Sequence, residues 1–133
     1  MVTIKDFMHT EVKTITKDES VYGAAKVMSE NGISCLIVVE DNSPIGIVTR
    51  RDIFENVLIS RKDVDQTKVE DIMTKDIVTL KPEGTIIAAS GIMSLKKVKQ
   101  IPIVKDGKLN GIITQTDIVK NINVIMKYDK QSI

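Results

Sequence analysis

An α/β fold made of two β-α-β-β-α repeats is predicted by three features of this 133-residue chain. Residues 4 to 57 slide onto residues 69 to 122 without a gap, with fourteen identities that include Asp6/Asp71, Met8/Met73, Thr14/Thr79, Ala24/Ala89, Met28/Met93 and Asn56/Asn121. The stretch Gly46-Ile47-Val48-Thr49-Arg50-Arg51-Asp52 returns as Gly111-Ile112-Ile113-Thr114-Gln115-Thr116-Asp117. Within each copy, strand-like apolar runs and helix-spaced apolar stripes alternate in the same order. A duplication that keeps every loop length implies one backbone path used twice. Two such halves are expected to dock about a pseudo-twofold axis, as small three-stranded sheets packed with helices. The repeats are assigned to residues 1–59 and 69–127, with a linker at 60–68 and a C-terminal tail at 128–133.

In the first copy, Ile4 to Met8 reads as a one-turn helix and Val12 to Thr16 as a short strand. Val21, Ala24, Ala25 and Met28 form a helical stripe with Ser20 as its N-cap and Asn31-Gly32 as its stop. Cys35 to Val39 and Ile45 to Val48 are strands of a hairpin around Asp41 to Pro44, and Thr49 opens a helix with apolar positions Ile53, Phe54, Val57 and Leu58. Ser60 to Lys68 is polar, as a linker would be. The second copy repeats the order: a lead at Val69 to Met73, a strand at Ile77 to Leu80, a helix from Thr85 with Ile86, Ala89 and Met93, strands at Ile101 to Val104 and Leu109 to Ile113 about Asp106-Gly107, and a helix from Thr114. Residues after Tyr128 are expected to fray, having only Ile133 to anchor them.

Composition excludes several function classes. Each half is near the size at which a lone core is marginal, so the halves are expected to need each other. Residues 1 to 66 carry eight Lys/Arg against eleven Asp/Glu and residues 67 to 133 eleven against seven, a contrast of −3 with +4 that favours mutual attraction and puts phosphate on the second side. Nucleic-acid binding is disfavoured, because 3% aromatics leave almost no stacking platform. The single Cys35 rules out an internal disulfide and points to a reducing compartment, read as the cytoplasm. No basic-then-apolar leader opens the chain and no apolar run could span a bilayer, so no membrane association is expected. His9 stands alone and is expected at the surface without a metal, and Cys35 in the core. No nucleophile-base set or phosphate-binding glycine loop is present, so an enzyme is not expected.

The repeated Gly-x-x-Thr-x-x-Asp carries the chemistry. Glycine leaves room for something to approach the strand backbone, and Thr and Asp fall where strand passes into helix. A threonine hydroxyl and free helical N–H groups suit a phosphate, while a carboxylate can accept both hydroxyls of a ribose. The same spacing is also that of a capping box, in which Thr and Asp only close the helix start. Cations favour a ligand at the first copy: Arg50 and Arg51 lie in the motif, and Lys99 stands where the first repeat has Ser34. Gln115 and Thr116 replace the arginines in the second copy, so that copy should hold phosphate less well.

These residues resemble a tandem pair of CBS (cystathionine-β-synthase type) domains, the Bateman module. The markers are Asp71-Ile72-Met73, Thr79-Leu80, Ala88-Ala89 through Ile92-Met93, Ile101-Pro102-Ile103-Val104-Lys105-Asp106-Gly107 and the Gly-x-x-Thr-x-x-Asp end of each repeat, over about residues 3 to 127. The resemblance implies a regulatory sensor that binds AMP, ADP, ATP or S-adenosylmethionine in clefts between the repeats. It implies a site A from Thr49, Arg50 and Asp52 with Met73, Val78, Val98 and Lys99, and a site B from Thr114 and Asp117 with Met8, Lys13, Ile33 and Ser34. Ile37 in place of the proline seen as Pro102, and Lys13 in place of an apolar wall, weaken site B. Exposed apolar helices and the family both imply a homodimer acting on a separate regulated protein. The alternative is a structural interaction module whose Thr/Asp pairs are caps and whose clefts stay empty.

Overall fold

Two antiparallel hairpins carry the architecture of the chain, which the computed structural model describes over residues 2–128. The first pairs β2 (Cys35–Glu40) with β3 (Ser43–Thr49), and β1 (Thr14–Ile15) adds a parallel third strand beside β2. The second pairs β4 (Gln100–Lys105) with β5 (Lys108–Thr114). Both turns are two residues long with positive φ throughout, at Asp41-Asn42 and Asp106-Gly107, as right-handed strand twist favours in a tight hairpin. Both hairpins slip by one residue at the same place: Val38 faces Gly46 while Val39 faces Pro44, and Ile103 faces Gly111 while Val104 faces Leu109. That bulge lets Pro44 sit within a strand.

The expected third strand of the second sheet shrinks to one bridge, Leu80 with Ile103. Ile37 donates its N–H to the Lys13 carbonyl at 3.4 Å, whereas its counterpart Pro102 has no N–H to give. The second repeat therefore has a two-stranded sheet where three strands were expected. The first strand is likewise shorter than the expected Val12 to Thr16.

The long helices follow their stripes. Helix α1 (Val21–Asn31) buries Val21, Ala24 and Met28, with the Ser20 hydroxyl accepting from Gly23 N at 3.0 Å and Gly32 closing it in the left-handed region. After β3, α2 (Arg50–Ile53) widens into a π-helical turn, Phe54–Leu58, so the expected single helix is two pieces and only Val57 of its apolar set is fully buried. The lead helix α3 (Val69–Ile72) follows the linker. In the second repeat, α4 (Ile86–Lys96) buries Ile86, Ala89 and Met93. Helix α5 (Gln115–Lys120) then stops at Asn121 before α6 (Ile122–Tyr128).

The chain packs as two compact units that are out of step with the repeats. One runs from Val12 to Ile77; the other joins the opening segment through Glu11 to the described residues from Val78 on. In the first unit, Val69 and Ile72 of α3 enter the core of Val21, Met28, Leu36, Val38 and Val48. In the second, Ile4 from the one-turn helix Ile4–Asp6 enters the core of Ile86, Ile101, Ile103 and Ile113. Each lead helix is closed by the aspartate of its repeat pair: Asp6 accepts from Thr3 N and Asp71 from Lys68 N, both at 2.8 Å. The polar stretch 60–68 is also docked, since Val21 N and Tyr22 N donate to the carbonyls of Thr67 and Val64. The expectation of a frayed tail concerns residues 129–133, which lie outside the described residues.

Candidate functional site

In the unit Val12 to Ile77, β3 ends at Thr49, whose extended backbone makes it the N-cap of α2. Thr49 Oγ1 accepts from Asp52 N at 3.1 Å, and Asp52 Oδ2 accepts from Thr49 N at 2.9 Å. The capping box is therefore formed, and one carboxylate oxygen serves it. Arg50 N donates to the Ser34 carbonyl at 2.9 Å, which ties the approach to β2 to the start of α2 and sets Ser34, Thr49, Arg50 and Asp52 side by side. Ile33 and Arg50 both border a groove of about 590 Å³ on the helical face, shared with Met28, Ile53, Phe54 and Leu58. Arg51 points elsewhere: its Nε donates to Glu55 at 2.9 Å, and that bond with the Glu55 charge raises its pKa. Lys13 is exposed and lends its carbonyl to β2.

Gly46 answers a question the motif left open. A Cβ there would lie 2.7 Å from Met73 Sδ and 3.0 Å from the Thr74 carbonyl, and Ile47 and Thr74 exchange both backbone hydrogen bonds at 2.9 and 3.0 Å. The room that glycine leaves is occupied by the chain itself, with Met73 packed on the strand. Sequence reasoning read room here for something to approach the strand; the backbone of the segment after α3 takes it.

The other unit repeats the box: Thr114 Oγ1 accepts from Asp117 N at 3.1 Å and Asp117 Oδ2 from Thr114 N at 2.9 Å. Gly111 faces Met8 and His9 as Gly46 faces Met73 and Thr74, with the His9 carbonyl 2.7 Å from where a Cβ would be. Gln115 N donates to the Lys99 carbonyl at 2.9 Å. Val78 is half-buried, while Val98 and Lys99 are exposed at the end of α4. The structure thus groups Thr49, Arg50, Asp52 and Met73 with Lys13, Ile33 and Ser34 in one unit, and Thr114, Asp117 and Met8 with Val78, Val98 and Lys99 in the other.

One partner was missed by sequence reasoning. His9 Nε2 lies 2.6 Å from Asp117 Oδ1, with the carboxylate almost buried and the imidazole mostly exposed. The ring sits at the surface as expected, yet it is committed to the motif aspartate. Nothing in the repeat pattern signals this, because the counterpart of His9 is Thr74. Cys35 is half-buried in β2, and burial pushes its thiol up to about 11, so it stays protonated and inert. Among the described residues, no group of three His, Cys, Asp or Glu could hold a metal ion, and no helix is long and apolar enough to cross a membrane.

Comparison with known proteins fits this geometry. The protein MJ0450 of Methanocaldococcus jannaschii is 39% identical over 109 residues, covering 80% of this chain and 59% of the relative. The chain spans about three fifths of the length of the first such curated relatives. The crystal structure of the CBS domain NE2398 superposes with a TM-score of 0.86 at 28% identity, covering 92% of this chain and 98% of the other. The CBS domain pair of protein MJ0100, solved in complex with 5′-methylthioadenosine and S-adenosyl-L-methionine, superposes with a TM-score of 0.84 at 25% identity, covering 93% and 98%. The CBS domain family model matches twice, at residues 4–59 and 69–124, and the chain belongs to that family as a tandem CBS pair.

Proposed function

We propose that this CBS pair is a regulatory sensor for an adenosyl compound, one of AMP, ADP, ATP or S-adenosylmethionine, and that Asp52 is its ribose-binding group. One observation carries the proposal: Asp52 gives Oδ2 to its cap and, among the described residues, Oδ1 makes no hydrogen bond, which suits it to accept from a sugar diol. The solved pair with 5′-methylthioadenosine and S-adenosyl-L-methionine supports the ligand class. Met73, in the same unit as Asp52, is proposed as a further contact of that ligand, on the family resemblance. The signal is the ligand's different affinity for two arrangements of the protein, passed to a regulated partner without catalysis. Phe54 and Leu58, 54% and 64% exposed, leave the groove beside Arg50 open to a second copy, and a cytoplasmic homodimer is the form in which we expect it to act.

A second reading has specific support. Both aspartates cap their helices and both motif glycines are filled by the chain, which a pure interaction module would equally need. Thermal melting separates the two. Ligand at about a hundred times its Kd should add about 2.7 kcal/mol, or about 5 to 10 °C for a chain of this size. Asp52→Asn keeps an oxygen for the cap but weakens the grip on a diol, so it should erase the ligand-induced rise while leaving the unliganded melt nearly in place. No rise with any of the four compounds would leave the interaction module standing.

A further inference from the structure

We infer that His9 closes the carboxylate of the second repeat to a ligand, so that this chain takes one adenosyl ligand, at Asp52, and not two. The inference rests on the reading of Asp52 given above. The two aspartates differ in what is left of them after capping. Asp52 has Oδ2 on Thr49 N, and no bond to its Oδ1 is recorded among the described residues. Asp117 has Oδ2 on Thr114 N and Oδ1 on His9 Nε2 at 2.6 Å, and its side chain is only 9% exposed. Both carboxylate oxygens are therefore engaged by the chain itself.

The position of the ring is set by the backbone. His9 N donates to the Ile112 carbonyl and Ile112 N to the His9 carbonyl, both at 2.9 Å, and Gly111 allows the segment to lie that close. The unit Val12 to Ile77 builds the same bridge with Thr74 and Ile47, and among the described residues no hydrogen bond joins Thr74 to Asp52. Against an ionised carboxylate, Nε2 is the donor. A ribose must break that charge-assisted bond before forming its own, which lowers affinity at Asp117 by about tenfold to a hundredfold. His9 is therefore the residue that decides between one site and two.

Calorimetric titration with AMP, ATP and S-adenosylmethionine tests this on the intact chain. The wild type should bind one equivalent, lost in Asp52→Asn. His9→Thr, which installs on an exposed position the residue that the unit Val12 to Ile77 has as Thr74, should bind two, and Asp117→Asn added to it should return the count to one. A wild type that binds two equivalents of similar affinity, or a His9→Thr chain that folds normally and still binds one, overturns the inference while leaving the sensor reading intact. Absence of binding in both chains instead overturns the sensor reading itself, and the inference with it. As the only histidine, His9 also gives a single set of imidazole resonances. These should stay in place when the wild type is saturated; displacement by ligand would mean that Asp117 is reached and the closure is wrong.

Discussion

The two repeats share a backbone path and differ at its edges. At β2 and β4 the same register holds an isoleucine in one and a proline in the other, and the sheet has three strands or two accordingly. After α1 a glycine takes the left-handed turn, while after α4 Lys97 takes it at φ 56°. The residue bridged to the last strand is Thr74 in one unit and His9 in the other, and His9 bonds the motif aspartate of its unit. Core positions stay apolar in both copies, with Val21/Ile86, Val38/Ile103 and Val48/Ile113 differing by one methylene each. The edges are where a duplicated unit can diverge without losing its fold, and here the edges include the atoms a ligand would touch.

The largest effect should come from filling the motif glycines. Gly111→Ala puts a methyl 2.7 Å from the His9 carbonyl, a backbone atom, and should cost about 2 to 3 kcal/mol in urea unfolding. Gly46→Ala meets the flexible Met73 Sδ first and should cost less. Equal losses would show that the two close approaches are equally rigid and break the comparison there. A smaller effect is expected at the third strand. Ile37→Pro removes the N–H that bonds the Lys13 carbonyl and trims a fully buried side chain, and should cost about 2 kcal/mol while leaving the β2–β3 pairing intact by backbone hydrogen exchange. The smallest should be a gain: Lys97→Gly relieves a left-handed lysine and should stabilise the chain by about 1 kcal/mol in the same unfolding assay.

Much of this was readable beforehand, and for physical reasons. The Val21, Ala24, Met28 stripe with its Ser20 cap, the two-residue turns and the Thr49/Asp52 box are local, so neighbouring residues suffice to specify them. Three things were not. Met8 and Met73 are identical in the two copies, so nothing in the pattern says onto which repeat each lead segment folds. The π-helical widening at Phe54–Leu58 keeps the same apolar residues and changes only which of them turn inward, leaving Val57 buried and Leu58 exposed. The His9 to Asp117 bond joins residues 108 positions apart, and a lone histidine offers no periodicity from which to infer it. At the candidate site, residue types and roles within a repeat were legible; the occupation of Asp117 by its own chain was not.

Because Ile4 completes the interior of one lobe, and Val69 and Ile72 that of the other, heredity and packing are out of phase by one short segment. A gene fragment cut at the junction of the copies yields a product with a plug but not the socket it was moulded to.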